Sequence, residues 1–219
     1  MAESQLLSVK KLKSLDILKN CLKHNLRQIP RELGENRHID PKRCRLNQNL
    51  VGSSDPSSMV SELAANIVSA TGKRLRRNGV LALEYLISLR ANTTVDINGY
   101  FPAVVEWLED YLGCPIISAV VHLDEGAPHM HVVVLPLRNG RMMGSALVGY
   151  KGDLAALKQS HYKSVGQRFG LTMAESIPKL NDTKYLAKLL TSCALQRTCW
   201  ISLWLGQRFK ISFKSTQVN

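Results

Sequence analysis

Three of the six histidines fall within one ten-residue window, at positions 122, 129 and 131. Alternate residues of a β-strand point to the same side of a sheet, so His129 and His131 would share one face. A tight reversal through residues 124–128 would bring His122 opposite them. Neutral imidazole is the commonest protein metal ligand, and three such ligands leave coordination positions open. The spacing therefore predicts a metal site on a β-hairpin, with chance histidines or a pH-sensitive surface cluster as the alternative.

Two carboxylates, Asp124 and Glu125, lie in the loop of the predicted hairpin. A carboxylate at this place could orient an imidazole N–H or become a further metal ligand. The identity of the metal stays open, because three imidazoles suit zinc, copper, iron or manganese, whereas phosphate chemistry would favour Mn²⁺ or Mg²⁺.

Hydrophobic periodicity and turn residues predict the elements that must position these side chains. Strands are predicted over residues 80–89, 115–123 and 129–137. Helices are predicted over 12–26, from Ser57 or Ser58 to Ala70, over 101–112 and over 154–169, with Gly113 and Gly170 as stop signals. This order of elements indicates an α/β or α+β fold in which a sheet with a central hairpin carries helices on one face.

Length and composition restrict the class of protein. The chain has 219 residues, 45% of them hydrophobic, which suits one domain with an appendage or two small domains and argues against disorder. No apolar run approaches the ~18 residues of a membrane span, and the first residues lack the features of a signal peptide. Five scattered cysteines without a C-x-x-C pair indicate a reducing compartment. We therefore expect a soluble intracellular protein.

The net charge of +12 is concentrated at the two ends of the chain. Residues 1–50 carry 11 basic and 5 acidic side chains, residues 51–183 carry 12 of each, and residues 184–219 carry six basic and no acidic ones. A balance of this kind favours a polyanionic partner, with nucleic acid first and an anionic membrane surface second.

Three stretches resemble the motifs of one known family. The sequence HLDEGAPHMH at 122–131 resembles the three-histidine signature of Mob/Pre plasmid mobilisation proteins, the MobV group of relaxases, which are also described as plasmid recombination enzymes. HNLR at 24–27 is similar to the family's first motif, and residues 36–50 are similar to its second. At 47–50 this chain has NQNL where the family typically has NYEL. The motifs stand in the family's order and cover about residues 20–180.

The resemblance implies an antiparallel-sheet relaxase fold of the HUH kind, and a metal-dependent transesterification that nicks one strand at a plasmid transfer origin. The products would be a covalent protein–DNA intermediate and a free 3′-hydroxyl. Most relaxases use a tyrosine as nucleophile, whereas for this group the histidine of the first motif has been proposed, which is His24 here. Rival nucleophiles are the tyrosines at positions 85, 100, 111, 150 and 162.

The resemblance also assigns roles around this nucleophile. Arg27, three residues after His24, would lie on the same helix face and clamp a neighbouring phosphate, and Glu125 completes the predicted catalytic set. The divalent metal, Mn²⁺ or Mg²⁺ for phosphate chemistry, would be held by His122, His129 and His131.

Basic segments on either side of the cleavage point would contact phosphates of the DNA, unless they are ordinary solvated surface. The predicted DNA-binding residues are Arg43, Arg45, Asn47, Lys73, Arg74, Arg76 and Arg77. The expected partner is plasmid DNA at the transfer origin, single-stranded or supercoiled, in the bacterial cytoplasm.

Residues 1–185 are predicted to form the catalytic domain. Relatives continue into a long, charged, coiled-coil-prone region, whereas residues 186–219 form a basic tail without acidic residues or heptads. We expect this tail to be out-of-frame or truncated coding sequence, with a basic, aromatic single-strand-binding segment as the alternative. Two other functions stay open: a cleavage-defective DNA-binding member of the family, because residues 47–50 depart from its motif, and an unrelated three-histidine metalloenzyme.

Overall fold

A computed structural model describes residues 3–33, 38–73 and 78–173 of the chain. The helices in these ranges are α1 Leu15–Asn25, α2 Pro56–Thr71, α3 Ile97–Leu112, α4 Gly144–Val148 and α5 Lys151–Ser164. The strands are β1 Glu3–Leu12, β2 Gln48–Val51, β3 Ala82–Ser88, β4 Ile116–His122, β5 His129–Val134, β6 Leu137–Arg138, β7 Arg141–Met142 and β8 Leu171–Met173. Among these described helices, none combines the length and the apolar character that crossing a bilayer requires.

The ends of the helices follow from local capping. The Asp55 carboxylate accepts hydrogen bonds from the backbone N–H groups of Ser57 and Ser58, and Pro56 occupies the first helical position of α2. The cap, Asp55, therefore lies two residues before Ser57, the first of the two serine caps predicted for this helix. Gly113, with a φ of 55°, ends α3 where a stop was predicted, since this left-handed conformation favours glycine.

The main sheet has six strands in the order β2-β4-β5-β3-β1-β8, and β6 pairs with β7 as a separate small hairpin. The predicted antiparallel sheet is confirmed for β1 to β5, whereas β8 adds a parallel edge beside β1. Strands β1, β2 and β8 have no counterpart among the strands predicted from periodicity. The predicted last helix is in fact α5 followed by a separate 3₁₀ turn, Gly166–Phe169.

Helices cover both faces of the sheet, so the prediction of helices on one face was wrong. One buried cluster joins the sheet to α3 and α5, and a second cluster joins it to α1 and α2. Along β5, Val132 and Val134 belong to the first cluster and Val133 belongs to the second. Because both faces are buried, β5 is apolar along most of its length. His129 and His131 occupy the same face of β5 as Val133, because alternate residues of a strand share a face. They therefore lie on the face of the sheet that α1 and α2 cover.

Candidate metal centre and catalytic cavity

The hairpin of β4 and β5 brings the three predicted ligand histidines together. His122, the last residue of β4, pairs directly with His129, the first residue of β5, and His131 follows on the same face. One ring nitrogen of each histidine lies within 4.8 Å of the corresponding nitrogens of the other two. The structure thus has the geometry that the spacing predicts, with the six residues 123–128 forming the reversal.

Each imidazole has one ring nitrogen fixed by an oxygen that can only accept a hydrogen bond. His122 Nε2 donates to the carbonyl of Asn25 at 2.7 Å, and His129 Nδ1 donates to the carbonyl of Ala127 at 2.9 Å. His131 Nδ1 lies 2.8 Å from a carboxylate oxygen of Glu84. These partners fix the tautomers, because the nitrogen that faces an acceptor must carry the proton.

The other nitrogens therefore present lone pairs to one another. Nδ1 of His122 and Nε2 of His129 are 3.1 Å apart, and in these tautomers neither has a proton to share. Burial lowers the pKa of His122 to about 3 and also lowers the pKa of His129, so neutral rings are favoured in the folded chain. Two buried lone pairs that face each other are a poor hydrogen-bonding arrangement, and they suit a cation placed between the rings.

Glu84 is the carboxylate that orients an imidazole, and it lies on β3 rather than in the hairpin loop. Burial by itself would raise its pKa, but hydrogen bonds from His131 and Cys21 and the positive charge of Lys10 outweigh burial and lower the pKa to about 2. Lys10 lies 3.9 Å away on β1. The prediction that Asp124 or Glu125 orients an imidazole N–H is therefore replaced by Glu84 and by two backbone carbonyls.

His24, near the end of α1, lies beside this group. Its ring centroid is 5.8 Å from that of His131 and 6.2 Å from that of His122. Its Nδ1 donates to a carboxylate oxygen of Glu32 at 2.7 Å, which leaves Nε2 as the nitrogen with the lone pair. We name the adjoining space of about 540 Å³ the histidine cavity, and it is lined by Leu6, His24, Glu32, His38, Ile39, Leu86, Ser88, Glu125, His129 and His131.

Arg27 does not share a helix face with His24. The residue follows the end of α1 with a φ of 57°, and this left-handed conformation turns the chain toward the hairpin loop. Its Nε and Nη2 donate to the two oxygens of Asp124 at 2.8 and 2.7 Å, and Nη2 also donates to Glu125 at 2.7 Å. Only 7% of the side chain is exposed. The guanidinium thus binds two carboxylates in the place of the expected phosphate.

Asp124 is the centre of a buried polar cluster that ties the hairpin loop to the N-terminal segment. Besides Arg27, the amide of Asn47 donates to it at 2.7 Å and the thiol of Cys44 donates to it at 3.1 Å. Burial alone would raise the pKa of Asp124, but these hydrogen bonds hold it well below its usual range. Glu125 lies at the edge of the cluster, with a carboxylate oxygen 3.8 Å from Nε2 of His129.

The predicted DNA-binding residues are divided between several places. Arg43 and Arg45 are exposed beside the hairpin loop, and Nη1 of Arg43 lies 3.5 Å from the carbonyl of Glu125. The amide of Asn47 is used within the protein, by Asp124 and by the N–H of Leu123, so these contacts give it a structural role in place of the expected DNA contact. Lys73 lies at the far end of the sheet. The predicted contacts Arg74, Arg76 and Arg77, and the predicted tail 186–219, fall outside the described residues.

Two residues of the site have no counterpart in the sequence prediction, namely Glu32 and Glu84. Glu84 is a lone acid inside an apolar strand, which is a usable signal, because a buried carboxylate requires a partner. Glu32 lies in an irregular polar segment without periodicity, and only the fold brings it to His24. Among the rival nucleophiles, Tyr85 and Tyr100 are fully buried in the cluster under α3, on the other face of the sheet.

Comparison with known proteins agrees with this geometry. The family model for plasmid recombination enzymes, Mob_Pre, matches residues 1–185. The chain belongs to this family. The alternative of an unrelated three-histidine metalloenzyme is thereby excluded, and the resemblance drawn from the three motifs is confirmed.

Curated relatives are longer than this chain. A plasmid recombination enzyme type 3 of Staphylococcus aureus is 31% identical over 153 residues, which make up 65% of this chain and 37% of that protein. A 65 kDa protein of Zymomonas mobilis is 30% identical over 139 residues, which make up 60% of this chain and 24% of that protein. The chain thus covers less than two fifths of the length of either relative.

A solved relaxase domain has the same fold as this family member. It is the MobM relaxase domain bound to plasmid pMV158 oriT DNA, in an Mn-bound crystal structure at pH 6.8. The two structures superpose with a TM-score of 0.68 at 23% sequence identity, covering 85% of this chain and 99% of that chain.

Proposed function

We propose that this chain is the catalytic part of a plasmid relaxase, which nicks one DNA strand at a transfer origin by transesterification. The observation that carries the proposal is the position of His24, whose ring lies about 6 Å from two of three convergent imidazoles. A nucleophile and a cation site within one cavity are what the attack of a side chain on a phosphodiester requires.

His122, His129 and His131 would hold a divalent cation through the three nitrogens that have no proton in the assigned tautomers. When bound, the cation supplies Lewis-acid chemistry by withdrawing charge from the non-bridging oxygens of the scissile phosphate. Mn²⁺ is our first choice and Mg²⁺ the second, because the related MobM domain is Mn-bound and phosphate chemistry favours these ions.

His24 would attack with Nε2. A nitrogen–phosphorus bond forms to the scissile phosphate, and the bond from phosphorus to the 3′-oxygen breaks. That oxygen leaves with its electron pair and takes a proton from solvent to become the 3′-hydroxyl. The ring of His24 gains positive charge in this step, and the Glu32 carboxylate at 2.7 Å from Nδ1 stabilises that charge and fixes the orientation of the ring.

Arg27 and Glu125 would act on the site by fixing the loop of the hairpin. Arg27 binds Asp124 and Glu125 together, and this pairing holds the loop that separates His122 from His129. Arg27 is therefore a positioning residue in the proposed mechanism. Glu125, which lines the histidine cavity, is the carboxylate of this pair that faces the DNA.

The substrate we propose is plasmid DNA at the origin of transfer. The reaction would take place in the bacterial cytoplasm, where plasmids reside. The related MobM domain is bound to oriT DNA, which supports this choice. Arg43 and Arg45 are exposed beside the hairpin and would contact phosphates near the cut. We further propose residues 1–185 as the catalytic domain and residues 186–219 as a tail that the reaction does not require.

The alternative of a cleavage-defective DNA-binding protein depends on the departure of residues 47–50 from the family motif. The side chain of Gln48 donates to Asn98, and that of Asn49 donates to the carbonyl of Gly52. Neither residue lines the histidine cavity. The departure therefore removes no group from the site around His24, and we favour an active enzyme.

A plasmid relaxation assay tests the proposal. Supercoiled plasmid that carries the chain's own origin is incubated with Mn²⁺ and with wild type, His24→Ala, or Asn20→Ala, an exposed control one helical turn earlier on α1. We expect relaxation by wild type and by the control, and none by His24→Ala or after chelation of the metal. Relaxation by His24→Ala at the wild-type rate would refute the assignment of the nucleophile, and specific binding without any nicking would favour the cleavage-defective alternative.

A further inference from the structure

Cys21 lies on α1, one helical turn before Asn25, and the proposed mechanism does not use it. Its side chain is partly buried and packs against the cluster between α1, α2 and the sheet. Among the described residues, its sulfur belongs to no group of convergent metal ligands. The thiol instead contacts two residues that orient the ligand histidines.

The first contact is with Glu84. The thiol of Cys21 donates a hydrogen bond to the Glu84 carboxylate, and this carboxylate accepts the Nδ1–H of His131 at 2.8 Å. The last torsion of a glutamate side chain has only broad preferences, so its partners decide where the oxygens point. Lys10 is a weak partner for this purpose, because its side chain is 70% exposed and its Nζ lies 3.9 Å away. Cys21 therefore fixes the direction of the carboxylate from within the protein.

The thiol suits this position because it is a neutral donor. Burial and the charge of Glu84 raise the pKa of the Cys21 thiol, so the sulfur keeps its proton at neutral pH. A neutral donor leaves the negative charge of Glu84 in place. That charge increases the basicity of the His131 ring, whose other nitrogen faces the convergent site.

The second contact is with Asn25. Its Nδ2 donates to Sγ of Cys21 at 3.7 Å. The side chain of Asn25 is buried, and its Oδ1 has no hydrogen-bond partner among the residues that the structure describes. The backbone carbonyl of the same residue accepts the Nε2–H of His122 at 2.7 Å. One thiol thus contacts the residues that orient two of the three convergent histidines.

We propose that Cys21 is a positioning residue of the metal centre, because its thiol holds Glu84 and Asn25 in the places from which they orient the ligand rings. The inference rests on the proposed function, since it concerns the same three histidines. A hydroxyl at position 21 would preserve both contacts, whereas an apolar side chain would remove them.

Two pairs of variants test the inference. Cys21→Ala removes the donor and Cys21→Ser retains one. Cys114→Ala and Cys114→Ser are the matched controls, because Cys114 is a buried cysteine in the cluster under α3, on the other face of the sheet. Isothermal titration calorimetry measures Mn²⁺ affinity. Long-range ¹H–¹⁵N spectra of the metal-free, ¹⁵N-histidine-labelled protein report the tautomer of His131, whose signals are identified with His131→Asn. Circular dichroism verifies that each variant is folded.

Cys21→Ala should weaken Mn²⁺ binding about tenfold, the lower end of the range for groups that act through a ligand's partner. The ring of His131 should change from the Nδ1–H tautomer to a mixture of both neutral tautomers. Cys21→Ser should recover most of the affinity and retain the single tautomer, and both Cys114 variants should match wild type.

A Cys21→Ala protein with wild-type Mn²⁺ affinity and an unchanged tautomer would overturn the inference. An equal loss in Cys21→Ser or in Cys114→Ala would also overturn it, because the thiol would then act through packing alone. Neither measurement requires nicking, and the tautomer measurement requires no metal. A chain that shows these effects without nicking would refute the proposed function while leaving this inference standing.

Discussion

The histidine cavity and a second cavity of about 800 Å³ lie at opposite ends of one sheet. We name the second cavity the basic groove, because its lining includes the side chains of Lys11, Lys13, Lys73 and Arg141. At the histidine cavity, His24, His129, His131 and the buried His122 beside them each have one ring nitrogen fixed by a carboxylate or a carbonyl. In the basic groove, the cations have no ion-pair partner among the described residues. Chemistry on one phosphate requires fixed directions, whereas attraction to a DNA backbone requires only charge.

This contrast separates the expected effects of substitutions. Changes in the histidine cavity should alter metal affinity, the rate of nicking or both. Neutralising the exposed cations of the basic groove should leave metal affinity unchanged, because these side chains lie at the opposite end of the sheet from the three histidines.

The largest effect is expected for His129→Ala. Removing one of three convergent imidazoles should weaken Mn²⁺ binding by more than about a hundredfold, since even indirect partners of metal ligands contribute tenfold or more. Nicking should be lost, and affinity for a random duplex should not change. Isothermal titration calorimetry with Mn²⁺ measures the effect, and His38→Ala is the control, because His38 lines the cavity but is not one of the three convergent histidines. Unchanged Mn²⁺ affinity in His129→Ala would contradict the assigned metal site.

An intermediate effect is expected for Glu32. Glu32→Ala should lower the rate of nicking about a hundredfold, because Nδ1 of His24 loses both its hydrogen-bond acceptor and the negative charge. Glu32→Gln keeps an acceptor oxygen, so this variant should nick about tenfold faster than Glu32→Ala. Mn²⁺ affinity should be unchanged in both variants, since His24 is not a metal ligand in this account. If Glu32→Gln is no faster than Glu32→Ala, or if either variant loses Mn²⁺ affinity, the positioning role is wrong.

The smallest effect concerns a buried histidine outside both regions. Burial lowers the pKa of His161 to about 4, whereas an imidazole in the unfolded chain titrates near 6.5. Below about pH 6.5 the unfolded chain therefore binds a proton that the folded chain excludes, so the free energy of unfolding falls as the pH approaches 4. Between pH 7 and pH 5 this residue should remove about 2 kcal/mol.

Urea unfolding of wild type and His161→Gln at pH 7 and pH 5 measures this contribution. It is the loss of unfolding free energy between the two pH values in wild type minus the same loss in the variant. The variant should lose less stability on acidification than wild type. An equal loss in both proteins would show that His161 does not control the pH dependence.

The sequence predicts the convergence of the three histidines well because strand alternation and a short reversal are local properties. Residues 122, 129 and 131 need only the hairpin in order to meet, and β3, β4 and β5 are strongly apolar. The sequence predicts the other strands poorly, since β2 has four residues of mixed polarity. In β1 the adjacent pairs Leu6-Leu7 and Lys10-Lys11 interrupt the alternation that would indicate a strand. Those strands are stabilised by neighbours distant in sequence.

The partners of the proposed catalytic groups depend on tertiary contacts that spacing does not reveal. The interval of three residues from His24 predicts a shared helix face for Arg27, but α1 ends before it and the left-handed turn sends the guanidinium to Asp124. Glu32 reaches His24 only because the chain folds back after the helix. Glu84 is the exception, because a single acid in an apolar strand is visible in the sequence.

The identity of the residue that becomes linked to DNA tests the central claim most directly. Wild type would be incubated with Mn²⁺ and plasmid carrying its own origin, the DNA digested, and the nucleotide-linked peptide sequenced by mass spectrometry at neutral pH, which preserves a phosphorus–nitrogen bond. We predict that the nucleotide is attached to His24, and that no linked peptide forms with His24→Ala. A nucleotide attached to one of the tyrosines, or an adduct that persists in His24→Ala, would contradict the account.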